Sequence, residues 1–298
     1  MTAGTSALQS GQSVAKAALW MAAWLALMLG MTVAGREATR EIDVLQLMEL
    51  RSTIGFLMLL PLVFAAGGFA AMKTRRPMQH VGRNVFHYIG QALWLYALTL
   101  IPLAHLISIE FTAPLWTALL AVAFLGERMN ARKIAALVLG LVGVAVIVRP
   151  STSSIDPGHL VVLAAALAFG ISITMVKSLT RTESVVAIIF WMLIIQSVIG
   201  LVPAIWVWRW PSAEIWPWAI LAAFCGTFAH YCMTRALVHA DATVVVPMDF
   251  LRVPLTALLG FLLYDESLDL VTAVGAGLIL CGNLLNLQRT RRPVTEAP

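Results

Sequence analysis

The sequence contains few charged residues. Asp, Glu, Lys and Arg make up 12% of the chain, whereas soluble domains carry about 25%. Hydrophobic residues make up 60%, and the mean hydropathy is +0.87. No polar stretch is long enough to form a separate soluble domain. This composition excludes a soluble protein and indicates one embedded in a membrane.

Cysteine clusters and catalytic motifs are also absent from the sequence. Cys225, Cys232 and Cys281 all fall in apolar segments, and none has C-x-x-C or Cys/His ligand spacing. The chain contains no P-loop, no H-E-x-x-H and no G-x-S-x-G turn. We therefore expect no enzymatic activity, no cofactor and no bound metal.

Ten apolar segments of membrane-spanning length occupy most of the chain. A bilayer core takes about 20 apolar residues as a helix, and backbone groups in lipid must be satisfied within the segment. The sequence therefore predicts an all-α integral membrane protein with ten transmembrane helices. The predicted spans are 15–35, 44–70, 82–101, 104–125, 131–149, 158–179, 184–208, 214–238, 242–263 and 269–288.

The basic residues are distributed asymmetrically over the loops between these spans. With the N-terminus inside, 14 basic residues, Arg83 among them, fall on the cytoplasmic side and 4 on the outer side. The positive-inside rule then predicts that both termini are cytoplasmic, in a multi-pass protein of the inner (plasma) membrane. Residues 1–13 lack the features of a signal peptide, so we expect the first span to be retained. The net charge of +5 thus indicates contact with membrane lipid and no nucleic-acid partner.

The second half of the chain repeats the first with a shift of 139 residues. Glu110 then falls on Asp249 and Glu127 on Glu266, and such acidic matches are more specific than leucine on leucine. We divide the chain into two five-helix repeats, 1–150 and 151–298, the second with a short cytoplasmic tail, and expect one structural unit. An odd number of spans inverts the second repeat. Inverted repeats are typical of secondary transporters, with the substrate site at the repeat interface.

Further motifs carry a resemblance to a known family. They are FLGERM around Gly126-Glu127, LYDESL around Asp265-Glu266, Arg51 in MELRSTIGF, and the prolines Pro114 and Pro254. With its duplicated spans, the chain resembles the EamA-type drug/metabolite transporter superfamily over residues 15–288. The second motif differs from the family's pattern, because Asp265 stands where glycine is usual. Members export or import amino acids, drugs, nucleotide-like metabolites and sugars, and aromatic amino-acid exporters are among them. The resemblance also suggests a homodimer formed through spans five and ten.

Candidate binding residues lie on one face of the third span. His87, Gln91 and Trp94 stand at i, i+4 and i+7, and the repeat maps Gln91 onto His230. The resemblance directs spans three, four, eight and nine towards a central cavity. A polar and aromatic lining suits a zwitterion with an apolar side chain; the alternative is interhelical hydrogen bonding. The candidate substrate-binding residues are His87, Tyr88, Gln91, Trp94, Trp116, His230 and Arg252.

Charged residues inside the spans are the candidates for coupling, because they are costly in a bilayer. Glu110 and Asp249 are expected either to bind a proton or a substrate ammonium group, or to anchor helix ends. Arg252 follows Asp249 by three residues on the same helix face, where it can hold a substrate carboxylate or neutralise Asp249. Arg51 is expected to guard the outer mouth or to pair with Glu49 or a loop acid.

Pro114 and Pro254 are predicted to kink spans four and nine and to serve as gating hinges. Together these features predict a secondary transporter that exports amino acids or similar small amphiphilic metabolites by alternating access. The alternatives are an importer or a broad drug exporter on the same fold, and a membrane subunit that transports nothing.

Overall fold

The computed structural model describes residues 3–125, 131–148, 156–179, 182–239, 248–249, 251–267 and 269–287. Within these ranges the chain forms helices and no strand, which confirms the all-α prediction. A short 3₁₀ helix, Phe69–Met72, follows the second helix. The α-helices are α1 Ala3–Ala38, α2 Val44–Ala65, α3 Pro77–Leu100, α4 Leu103–Glu110, α5 Ala113–Leu125, α6 Ala131–Val148, α7 Pro157–Leu179, α8 Val185–Trp206, α9 Trp216–His239, α10 Arg252–Tyr264 and α11 Leu270–Leu287.

Four helices of the described chain contain segments long and apolar enough to cross a membrane. These segments are Ala15–Ala38, Val44–Ala65, Pro157–Val176 and Val185–Trp206, and they coincide with predicted spans one, two, six and seven. Helices α3 and α9 are each 24 residues long. Helix α3 is less apolar than these four because it carries buried His80, Arg83, Asn84 and His87. The chain is therefore a multi-pass membrane protein, and its helix α3 carries a polar face.

The fourth predicted span is not one continuous helix. The chain leaves the helical path at Phe111 and Thr112, between α4 and α5, so the prediction of a single helix over 104–125 is wrong. Pro114 lies in the first turn of α5 and cannot donate to the carbonyl of Glu110, where α4 ends. Pro254 likewise lies in the first turn of α10. Both prolines thus begin helices instead of kinking them, and their role as hinges remains a prediction.

The helices pack in a regular set of pairs. Helix α1 packs chiefly on α9, α3 on α7, α2 on α8, and α6 on α11. The α6–α11 contact is the closest in backbone terms, since a Cβ added at Gly143 would lie 2.6 Å from the carbonyl oxygen of Gly275. These pairs enclose a buried core to which α2, α3, α4, α7 and α9 all contribute.

The loop at residues 39–43 and the loop at 207–215 meet at one end of the bundle. The Ser212 amide and hydroxyl donate to the Glu41 carboxylate over 2.6 and 2.7 Å. These two hydrogen bonds lower the pKa of the exposed Glu41 from its ordinary value, and the bond from the Ser212 amide has the larger effect. Gln46 exchanges two hydrogen bonds with the backbone of Arg209, at 2.5 and 3.1 Å.

The opposite end of the bundle is joined by a second set of contacts. Thr74 donates to Glu183 over 2.5 Å, and the Trp191 indole donates to the Met72 carbonyl over 2.8 Å. Loops that the sequence predicts on opposite sides of the membrane therefore cluster at opposite ends of the bundle.

Candidate functional site

A charge cluster with two buried members and one partly buried member joins the two halves of the chain. Arg252 at the start of α10 donates to the Glu110 carboxylate at the end of α4 over 2.9 Å. The same guanidinium lies 3.4 Å from Asp249, one turn earlier in the chain. The local Asp249–Arg252 pair follows from the i,i+3 spacing, whereas the bond to Glu110 spans 142 residues. We call Glu110, Asp249 and Arg252 the acid triad.

Two tryptophans hold the carboxylates of the acid triad. The Trp94 indole on α3 donates to Glu110 over 2.7 Å, and the Trp24 indole on α1 donates to Asp249 over 2.6 Å. Sequence reasoning singled out Trp94 but missed Trp24, because nothing in an apolar first span points to a partner 225 residues away. The triad therefore draws together α1, α3, α4 and α10.

Arg51 on α2 reaches Gln91 on α3. Its guanidinium donates to the Gln91 side-chain oxygen, and the Arg51 side chain is buried. The expected pairing with Glu49 does not form: Glu49 accepts hydrogen bonds from Thr53 and Ser197 at 2.8 and 2.7 Å. Residues two apart on a helix point in different directions, which explains the difference.

Two histidines on α3 and α9 face each other. The rings of His87 and His230 have centroids 5.6 Å apart. His87 also shares a 3.3 Å hydrogen bond with Gln196 on α8, and His230 lies 6.2 Å from the Trp24 ring. The histidine pair thus lies between the acid triad and the Arg51 region.

The polar face of α3 continues to Arg83, one turn before His87. Arg83 is 6% exposed and donates to its neighbour Asn84 over 2.7 Å, while its Nε has no partner. The sequence prediction placed Arg83 among the cytoplasmic basic residues. The structure instead buries it inside the bundle, because it lies on the same face of α3 as His80 and His87.

The remaining predicted site residues lie at different places. Tyr88 is buried, its hydroxyl has no hydrogen-bond partner, and it lies close to Gly200 of α8. Trp116 on α5 is half-buried and donates to Thr112 over 3.2 Å; it packs near Gly170 of α7. Trp116 makes none of the described contacts of the acid triad or of Arg51.

Glu266 joins three helices at one end of the bundle. It pairs with Arg36 of α1 and accepts a 2.8 Å hydrogen bond from the Leu103 amide at the start of α4. Arg36 also stacks on Tyr264 of α10, 4.3 Å from the ring centre. The matching acid of the first repeat, Glu127, lies outside the described residues. Among the described residues, no three His, Cys, Asp or Glu side chains converge on a metal position.

Comparison with known proteins places this arrangement in context. The profile of the EamA-like transporter family matches residues 15–149 and 156–288, which together cover most of the chain. An S-adenosylmethionine uptake transporter of Rickettsia prowazekii is 27% identical over 240 residues, 80% of this chain and 81% of the relative. A riboflavin transporter of Rhizobium johnstonii is 32% identical over 246 residues, 80% of this chain and 81% of the relative.

Two further comparisons extend over more of the chain. The pseudopaline exporter CntI of Pseudomonas aeruginosa is 27% identical over 261 residues, 86% of this chain and 90% of the relative. A solved crystal structure matches with a TM-score of 0.64 over 91% of this chain and 96% of its own; at 20% identity it supports the fold alone.

Proposed function

Because the chain belongs to the EamA-like transporter family, it is a membrane transporter and not an enzyme, and we propose that it exports amino acids or similar small amphiphilic metabolites by alternating access. The acid triad carries this proposal, because it lies at the meeting point of four helices from both halves, with Asp249 and Arg252 buried and Glu110 partly buried. Transport sites of secondary transporters lie at such interfaces between repeats.

The packing pairs support ten spans arranged as two inverted repeats. The 139-residue shift exchanges α1 with α7 and α3 with α9, so the α1–α9 contact becomes the α7–α3 contact. The pairs α2–α8 and α6–α11 map onto themselves. A two-fold pseudo-symmetry of this kind supplies two related conformations, which alternating access requires.

The charges of the triad support coupling to a cation. It contains two carboxylates and one guanidinium, so one negative charge is in excess when both acids are ionised. A net charge inside the membrane is costly, and a proton or a substrate ammonium group would neutralise it. We propose Glu110 and Asp249 as the groups that accept this cation. The aromatic rings of Trp24 and Trp94 beside them suit the apolar part of an amphiphilic substrate.

Uptake on the same fold is the second candidate. It is favoured by the names of relatives such as the S-adenosylmethionine uptake transporter of Rickettsia prowazekii. Either direction is compatible with a site that opens in turn to the two sides of the membrane.

Reconstitution in liposomes tests the proposal. Vesicles preloaded with an unlabelled amino acid should accumulate the labelled form by counterflow, and protein-free vesicles should not. Direction is then read in whole cells, where overexpression should lower the internal content of an exported compound and raise that of an imported one. Absence of counterflow across amino acids, S-adenosylmethionine and riboflavin would favour a membrane subunit that transports nothing.

A further inference from the structure

Arg51 and Arg83 are buried guanidinium groups that have no acidic partner among the described residues. They are 7% and 6% exposed. Neither takes part in any ion pair formed within the described ranges of the chain. Arg51 donates to the Gln91 amide oxygen and Arg83 to the Asn84 amide oxygen, both of which are neutral acceptors. Arginine stays protonated in proteins and carries five N–H donors. One such hydrogen bond is therefore a small part of what each of these two side chains can form.

Glu49 and Glu183 form no ion pair with these arginines among the described residues. Glu49 accepts from Thr53 and Ser197 through one carboxylate oxygen, and its other oxygen has no hydrogen-bond partner. Glu183 accepts from Thr74 and lies 3.5 Å from the His80 ring. This contrasts with Arg252, which has two carboxylates within 3.5 Å. Arg252 therefore has carboxylate partners, whereas Arg51 and Arg83 have none in the part of the chain that the structure describes.

Both arginines lie beside the same pair of histidines. Arg83 stands one turn before His87 on the buried face of α3, Arg51 donates to Gln91 one turn after His87, and the His87 ring lies 5.6 Å from that of His230. Gly226 leaves room for the Arg51 side chain, because a Cβ there would lie 3.1 Å from Arg51 Cδ. We call Arg51, Arg83, His87 and His230 the basic cluster.

We propose that the basic cluster binds an oxyanion group, a carboxylate or a phosphate, of the transported substrate. This inference rests on the proposed transport function and narrows its substrate class. A guanidinium matches both groups through paired N–H donors, and an unpaired charge in the bundle is costly until such a partner arrives.

The basic cluster and the acid triad together form a bipolar site. Trp24 bonds to Asp249 and packs beside His230, so one residue links the acid and basic regions. A zwitterion would place its cationic group at the triad and its oxyanion at the basic cluster. Of the two roles that the sequence leaves open for Arg252, this arrangement favours neutralisation of the acids, because the guanidinium pairs with both Glu110 and Asp249.

Binding to matched ligand pairs tests the inference. Each pair differs in the oxyanion alone: phenylalanine against phenylalaninamide, and riboflavin 5′-phosphate against riboflavin. Calorimetric titration of the purified protein in a non-ionic detergent should show at least about tenfold tighter binding of the oxyanion member of one pair. The pair that responds distinguishes a carboxylate from a phosphate. Equal affinity within both pairs, or no binding of either oxyanion, overturns the inference.

Substitutions assign the effect to the basic cluster. Arg51→Gln and Arg83→Gln should each weaken oxyanion binding by about ten- to a hundredfold, the range for a charge-assisted hydrogen bond. Arg235→Gln is the matched control, since Arg235 is exposed on α9 and stacks on Trp20. Unchanged oxyanion affinity in both glutamine variants overturns the inference. If a glutamine variant does not fold, the Lys variant at that position replaces it and should lose affinity through the missing paired donors.

Counterflow separates this inference from the proposed function. Oxyanion binding that depends on the two arginines, without counterflow of that ligand, overturns the transport function and leaves the anion site in place. Counterflow restricted to neutral or cationic compounds, unaffected by the glutamine variants, supports transport and overturns the anion site.

Discussion

At the scale of single residues, the roles of the charged groups follow from their partners. Glu110 and Asp249 share one guanidinium, and each accepts an indole hydrogen bond, so both acids join several helices; their role in coupling stays a prediction. Arg51 and Arg83 differ from Arg252 in having neutral partners only among the described residues. The proposed roles of these charged residues therefore depend on the partner of each group and not on the sign of its charge alone.

We predict that Glu110→Gln removes coupling to a pH gradient. With one negative charge gone, Arg252 and Asp249 neutralise each other and no proton is needed. In liposomes, the variant should lose acceleration of transport by an imposed pH gradient and keep substrate exchange within about twofold. Asp249→Asn is the matched test of the second acid. Exchange and gradient-driven transport falling together would contradict the coupling role, as would wild-type flux that ignores the gradient.

We predict that Arg252→Ala destabilises the fold. Removing the cation leaves the buried Asp249 and the partly buried Glu110 without their shared partner, and breaking a buried pair costs at most about 3–5 kcal/mol. The thermal unfolding midpoint of the purified variant should fall clearly below that of wild type. The combined change Arg252→Ala with Glu110→Gln should recover part of the loss, because one uncompensated charge is removed. No recovery would indicate that Arg252 stabilises by packing on Phe111.

At the scale of elements, close contacts between helix backbones determine the packing of α6 and α11. Gly143 and Gly275 face each other so closely that a Cβ on either meets the carbonyl oxygen of the other, at 2.6 and 2.8 Å. Small residues allow such an approach within a membrane, where van der Waals packing holds helices together. The homodimer suggested by the family resemblance stays a prediction, and it would have to use faces of α6 and α11 outside this contact.

We predict that Gly143→Ala lowers thermal stability and that Gly277→Ala does not. The added methyl at position 143 would collide with backbone and Ile279, whereas a Cβ at position 277 has no atom within 4 Å. Overpacking typically costs about 1–3 kcal/mol, while alanine in an open helix position is neutral or favourable. The two unfolding midpoints in detergent provide the comparison. Equal midpoints would show that α6 and α11 are not in backbone contact.

At the scale of the whole molecule, the end-to-end arrangement of loops agrees with alternating passages through a membrane. Glu41 bonds to Ser212 at one end, and Thr74 bonds to Glu183 at the other. The Glu266 contacts with Arg36 and the Leu103 amide tie α1, α4 and the end of α10 together at a single end.

We predict that both termini are cytoplasmic. The 14-to-4 distribution of basic residues over the two sides supports this orientation, although Arg83 now belongs to the interior and reduces the first count to 13. A C-terminal reporter active only in the periplasm should therefore stay silent, and one active in the cytoplasm should give signal. Strong periplasmic signal would reverse the orientation and every loop assignment with it.

The sequence by itself determined the class of this protein and the elements that are set locally. Apolar segments long enough to span a bilayer must be helical, because lipid offers no partner for the backbone. The i,i+3 spacing predicted the contact between Asp249 and Arg252, and the 139-residue repeat showed that Glu110 and Asp249 occupy equivalent positions in the two halves.

Only the tertiary structure decided which groups share the interior. The contacts Trp24–Asp249, Glu110–Arg252 and Arg51–Gln91 join residues 225, 142 and 40 positions apart, a separation at which helical periodicity carries no information. The break at residues 111–112 and the burial of Arg83 depend on how neighbouring helices pack. The partner of each buried charge depends on the whole bundle, because an unpaired charge inside the membrane is costly and its partner can come from any neighbouring helix.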